Sequence, residues 1–160
     1  MAQLKALLKD TAIYGLSSII GRFLNYMLVP LYTAKLSAAS GGYGVITNIY
    51  SYVALILVIL TFGMETTFFR FANRKDREES PDCVFTTSFV FVGGLSLLWL
   101  ALVILFISPI SQLMGYGGHA EYVWMMAVVV ALDAIQAVPF ARLRYQKRPI
   151  RFAALKMLFI

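Results

Sequence analysis

The chain has 160 residues, is 60% hydrophobic and carries a formal net charge of +6. Its mean hydropathy of +0.76 excludes an ordinary soluble domain. Apolar runs of about 20 residues recur, the length a helix needs to cross a bilayer, so the class is an all-α, polytopic helical membrane bundle. The basic balance does not point to nucleic acid, because the Lys and Arg residues cluster in the short loops between apolar runs.

The opening segment, AQLKALLKD, places Leu4, Leu7 and Leu8 on one helical face with Lys5 and Lys9 around the other. It reads as a short interfacial amphipathic helix over 1–10, continuous with the first span. That span covers 11–33 and holds Arg22 near its centre. Two lysines before an apolar run, then small residues at 37–40, resemble a signal peptide. The run is too long for one and carries Arg22 and Asn25, so it is expected to stay uncleaved. The second span covers 45–68. The third covers 85–107 and contains no charge. The fourth covers 122–140, and a fifth apolar segment starts at 152. From there to Ile160 a helix rises only about 13 Å, under half the hydrocarbon core. The expectation is four transmembrane helices plus the start of a fifth, in a chain that looks like a fragment.

Loop charges set the orientation. The tail carries Lys5 and Lys9, and the loop after the first span has Lys35 alone. Four cations, Arg70, Arg74, Lys75 and Arg77, follow the second span, and none follows the third. Arg142, Arg144, Lys147, Arg148 and Arg151 follow the fourth. Rich and poor loops alternate, which puts the N-terminus and the rich loops in the cytoplasm.

Polar residues inside the spans are the functional candidates. A guanidinium at a bilayer centre costs roughly +2.5 to +3.5 kcal/mol on insertion scales. Arg22 lies about 16 Å from either end of its span, deep for snorkelling. A cavity role, a structural ion pair and a snorkelled side chain all stay open. Thr11, Gly15, Ser18, Arg22 and Asn25 recur at steps of four and three and form one face, expected to be shielded from lipid. In the second span Thr47, Ser51, Ala54, Thr61 and Glu65 form a similar face. In the fourth, Asp133 shares a face with Gln136, roughly 10 Å above the cytoplasmic end. Arg22 could reach Asp133 or Glu65. Gly15, Gly21, Gly93 and Gly94 are expected to allow close helix approach. Pro30 and Pro139 read as local bends or terminators, and Trp99 and Trp124 as ordinary apolar or interfacial aromatics. The basic loop after the fourth span reads mainly as a topology signal, with contact to anionic headgroups or a phosphate-bearing substrate as the alternative. One cysteine (Cys83) and one histidine (His119) allow no internal disulfide, and no zinc cluster or catalytic constellation is visible. No enzyme activity, metal or cofactor is expected.

The run from Gly21 to Tyr52, GRFLNYMLVPLYTAKLSAASGGYGVITNIYSY, resembles the opening of bacterial polysaccharide flippases. These export O-antigen and capsule lipid-linked oligosaccharides and belong to the multidrug/oligosaccharidyl-lipid/polysaccharide superfamily. The resemblance rests on Gly21-Arg22, on Val29-Pro30-Leu31-Tyr32-Thr33 and on Tyr43-Gly44. Gly63-Met64-Glu65, Arg70-Phe71 and the exit from Leu132 to Phe152 extend it. It departs at Ala34-Lys35, where many members carry a basic residue directly after the threonine. The resemblance implies the first part of a multidrug-extrusion-like lobe in the bacterial inner membrane, working by alternating access. It implies a cationic cavity for the pyrophosphate of an undecaprenyl-linked glycan, as in lipopolysaccharide assembly. Arg22, Asn25 and Ser18 are then the substrate-binding candidates, and Glu65 and Asp133 the ion-coupling or charge-pairing ones. Partners would be the lipid-linked glycan, the bilayer and other polysaccharide-assembly membrane proteins. Two rivals remain: a drug or organic-cation antiporter of the same superfamily, which Arg22 disfavours, and a non-transporting four-helix membrane adaptor.

Overall fold

The structure is a computed structural model that describes residues 2–35, 42–74 and 80–159. Among these residues every regular element is an α-helix. The helices are α1 (Ala2–Lys35), α2 (Gly42–Thr61), α3 (Met64–Ala72), α4 (Pro81–Leu105), α5 (Ile107–Leu113), α6 (Ala120–Tyr145) and α7 (Pro149–Leu158). Three runs among the described residues are long and apolar enough to cross a membrane: Gly42–Ala72, Pro81–Leu105 and Ala120–Tyr145. These correspond to the expected second, third and fourth spans and make the chain a helical membrane protein. The expected first span is part of α1, whose 34 residues give it ample length to cross a bilayer. Several of its side chains, those of Arg22 and Asn25 among them, lie outside the described residues. The expected fifth segment appears as α7, a helix of 10 residues.

The chain divides into two compact units, Asn48–Ala141 on one hand and Met1–Thr47 with Arg142–Ile160 on the other. In the first unit α6 supplies most of the core. Val123, Ala127, Val130, Ala134, Val138 and Ala141 are buried along it, at steps of four and three that keep one face inward. Leu60 of α2 and Val92 of α4 join Met126, Val130, Ala134 and Val138 in one cluster. Ile49, Val53, Ile56 and Leu57 of α2 and Leu95 and Trp99 of α4 pack around it. A second cluster, Val103 with Val123 and Ala127, is covered by Ile110, Met114 and Tyr116. Small residues share these inward faces with the larger apolar ones: Ala127, Ala131, Ala134 and Ala141 on α6, and Ser88 and Ser96 on α4. In the second unit α1 packs against α7. Tyr14 meets Phe152 edge-on at 5.1 Å between ring centroids, and Phe152 is buried.

Several expectations are corrected. The second span is not one continuous helix. Phe62 and Gly63 both have positive φ, 47° and 64°, and break it into α2 and α3. Glycine tolerates that region and phenylalanine rarely adopts it; Phe62 is 64% exposed and meets the Phe91 ring edge-on at 6.4 Å. Pro30 and Pro139 are not terminators: both lie inside helices. Proline removes one backbone donor, a loss a helix embedded among neighbours tolerates. Gly15, Gly93 and Gly94 are not points of close approach, since a Cβ built on each would meet nothing within 4 Å. Finally, α4 begins at Pro81, earlier than the expected 85. Ser80 caps it, its Oγ accepting from the Cys83 N–H at 3.3 Å, with Pro81 at the first helical position and Asp82 in the first turn.

Candidate functional site

Hydroxyls in the apolar helices are mostly neutralised by their own backbone. Thr33 donates to the carbonyl of Val29 at 3.1 Å, Thr47 to Tyr43 at 3.1 Å and Thr61 to Leu57 at 2.8 Å. A threonine satisfied this way can sit in hydrocarbon at little cost. The polar groups that this device leaves over carry functional interest.

Asp133 and Gln136 are three residues apart on α6 and meet on one face, as their spacing predicts. The Gln136 Nε2 donates to Asp133 Oδ1 at 2.6 Å. Because a carboxylate can only accept, the bond fixes the amide orientation and leaves Gln136 Oε1 as a second acceptor. That oxygen is buried and has no hydrogen-bond partner among the described residues. Helix α6 extends to Tyr145, past the expected span end at 140, with Arg142 and Arg144 in its last turn, which places Asp133 near the middle of the helix. It is about 18 Å along the axis from the helix C-terminus. A carboxylate near the middle of a helix apolar enough to cross a membrane is costly to place in hydrocarbon. The pair presents two oxygen acceptors side by side, a set suited to a proton, a cation or a hydroxyl donor.

Glu65 lies in the first turn of α3, where the helix dipole favours a negative charge. It is half-buried. The turn at Phe62–Gly63 separates it from Thr61, so the polar face predicted along the second span stops at Thr61. On α4, Ser96 is fully buried and its Oγ has no hydrogen-bond partner among the described residues. Sequence reasoning passed over Ser96, because a serine in a hydrophobic run looks like a small packing residue.

Ser18, Arg22 and Asn25 belong to α1, but their side chains lie outside the described residues, as does any contact of Arg22 with Asp133 or Glu65. On the same expected stripe, Thr11 and Gly15 are exposed.

At the α5–α6 connection, an aromatic group gathers that the sequence did not announce. His119 stacks on Tyr122 at 4.9 Å, and Tyr116 meets Tyr122 edge-on at 6.1 Å. The Asn48 amide donates to the Tyr116 hydroxyl at 3.0 Å. The turn is set by Gly115, whose φ of 79° places it at the left-handed position after α5. There Gly115 N–H bonds to Gln112 O at 3.0 Å and Tyr116 N–H to Ser111 O at 2.7 Å, the paired bonds of a Schellman end. Among the described residues no group of three or more His, Cys, Asp or Glu side chains could hold a metal ion.

Compared with protein-family models, curated proteins and solved structures, the chain matches none.

Proposed function

We propose that this chain forms the opening helices of a transporter that moves a lipid-linked oligosaccharide from the cytoplasmic to the periplasmic leaflet of the bacterial inner membrane. The N-terminus is then cytoplasmic, and the chain is not an enzyme. The observation that carries a transport role is the Asp133–Gln136 pair, a carboxylate and a spare amide oxygen near the middle of an apolar helix. The glycan substrate rests on the resemblance of Gly21–Tyr52 to polysaccharide flippases and on Arg22, a fixed cation matched to a pyrophosphate headgroup. Arg22, with Asn25 and Ser18, serves the substrate. Asp133 and Glu65 couple ions or balance charge.

Asp133 and Gln136 also favour one second reading. Two acceptors with no cationic partner among the described residues suit an organic cation, as in a drug antiporter of the same superfamily. The two readings separate at Arg22. In the complete transporter, Arg22→Ala abolishes glycan export with membrane insertion intact, and Arg22→Lys restores it only in part if a bidentate phosphate contact is needed. Normal export with Ala at 22 removes Arg22 from the substrate path. Export of cationic dyes that survives Arg22→Ala and fails with Asp133→Asn supports the antiporter.

A further inference from the structure

The connection from α6 to α7 is built in an unexpected way. Helix α6 ends in a Schellman motif: Lys147 N–H bonds to Arg144 O at 3.0 Å and Arg148 N–H to Leu143 O at 3.2 Å. The residue at the left-handed position of such a motif is usually glycine. Here it is Lys147, with φ 52°. Pro149 then opens α7 at its first position. The result is a fixed turn rather than a loose loop. It frames a shallow, largely open surface depression lined by Lys147, Arg148, Pro149, Ile150 and Arg151.

The chemistry of this pocket is one-sided. Its three cations are exposed, and none is in an ion pair among the described residues. From Ala134 to Ile160 the sequence contains no Asp or Glu. The neighbouring Arg144 is turned away from the role, its guanidinium lying over the Phe152 ring at 5.5 Å. In the midst of the cations stands Ile150, 72% exposed, beside the end of a helix apolar enough to cross a membrane. A pocket for a free anion has no use for an exposed isoleucine at its rim. A lipid offers both halves, a phosphate for the cations and an acyl chain for Ile150.

We propose that the α6–α7 turn is a binding site for the headgroup of an anionic phospholipid, with Lys147, Arg148 and Arg151 on the phosphate and Ile150 against the acyl region. The two arginines supply planar forks that match phosphate oxygens, and the lysine supplies a point charge. A cation near an anionic surface contributes about fivefold in affinity, so the three together contribute on the order of a hundredfold.

The test uses the full chain in neutral detergent, titrated with phosphatidylglycerol or with phosphatidylcholine of the same acyl chains, bound lipid being counted by native mass spectrometry. The expected result is a strong preference for phosphatidylglycerol. The triple variant Lys147→Gln/Arg148→Gln/Arg151→Gln removes the preference, whereas Arg70→Gln/Arg74→Gln keeps it. Ile150→Gln weakens both lipids equally. Should the triple variant fail to insert, Arg151→Gln alone is expected to lower the preference about fivefold. Lys147→Gly relieves the left-handed strain, and is expected to raise thermal stability while reducing the preference. Equal binding of both lipids overturns the proposal, as does a preference that survives the cation removals. Displacement of phosphatidylglycerol by equimolar inorganic phosphate makes the pocket a free-anion site and also overturns it.

Discussion

The most apolar 18-residue stretches of Gly42–Ala72 and of helix α6 have almost equal mean hydropathies, 2.1 and 1.9, yet 6% of the first stretch and 44% of the second is buried. The corresponding stretch of helix α4 has the highest mean hydropathy, 2.4, and is 22% buried. In water such numbers would be contradictory, because apolar surface is what gets covered. In a bilayer lipid tails are as apolar as leucine, and burial follows side-chain size and polarity. The inward face of α6 carries Ala127, Ala131, Ala134 and Ala141. The outward positions of α2 carry Leu55, Val58 and Ile59. Hydropathy finds membrane helices but does not tell which of their faces are buried.

Four substitutions can break or sharpen that contrast, each read as the change in unfolding free energy in mixed micelles. Phe68→Ala removes a fully buried ring on α3 and is expected to cost the most, about 3–5 kcal/mol. A loss below about 1 kcal/mol would mean that α3 is not packed as described. Ala134→Leu overfills the α6 seam and is expected to cost about 1–3 kcal/mol. Gly63→Ala forces a Cβ into the left-handed turn between α2 and α3 and is expected to cost about 1 kcal/mol. At Val58, 72% exposed on α2, Val58→Leu should change stability by less than about 0.5 kcal/mol. If Val58→Leu is as damaging as Ala134→Leu, the distinction between lipid-facing and seam positions is wrong. Ser96→Ala adds a finer point. It removes a buried hydroxyl that has no partner among the described residues, and is expected to leave stability unchanged or raise it slightly.

Much of this was legible in the sequence for a physical reason. Apolar runs separated by basic loops reflect the cost of moving charge across hydrocarbon, so three helices appeared where they were expected. The meeting of Asp133 and Gln136 followed from their spacing alone. The break at Phe62–Gly63 did not, because the apolar pattern runs through it and one glycine was its sole mark. Helix α5 was missed because it follows α4 directly and too few residues remain for a hydropathy signal. The extension of α6 to Tyr145 was not expected because Pro139 looked like an end, and a membrane helix can absorb a proline. The close-packing glycines were expected at the wrong places, since a glycine permits approach but does not require it. The α6–α7 turn hid because its left-handed residue is a lysine. The candidate cavity in α1 was read from Ser18, Arg22 and Asn25 by periodicity, and it rests on that periodicity still.

The central claim is that Asp133 serves transport rather than packing. Asp133→Asn keeps the shape of the side chain and its hydrogen bond with Gln136 while removing the charge. The decisive measurement is export of lipid-linked glycan by the complete transporter carrying this one substitution, with membrane insertion and thermal stability measured on the same protein. The expected result is a loss of export of at least about a hundredfold, the lower end of what a positioned proton-transfer group contributes, with insertion and stability unchanged. Normal export, or a loss of export that tracks a loss of folded protein, would contradict the account.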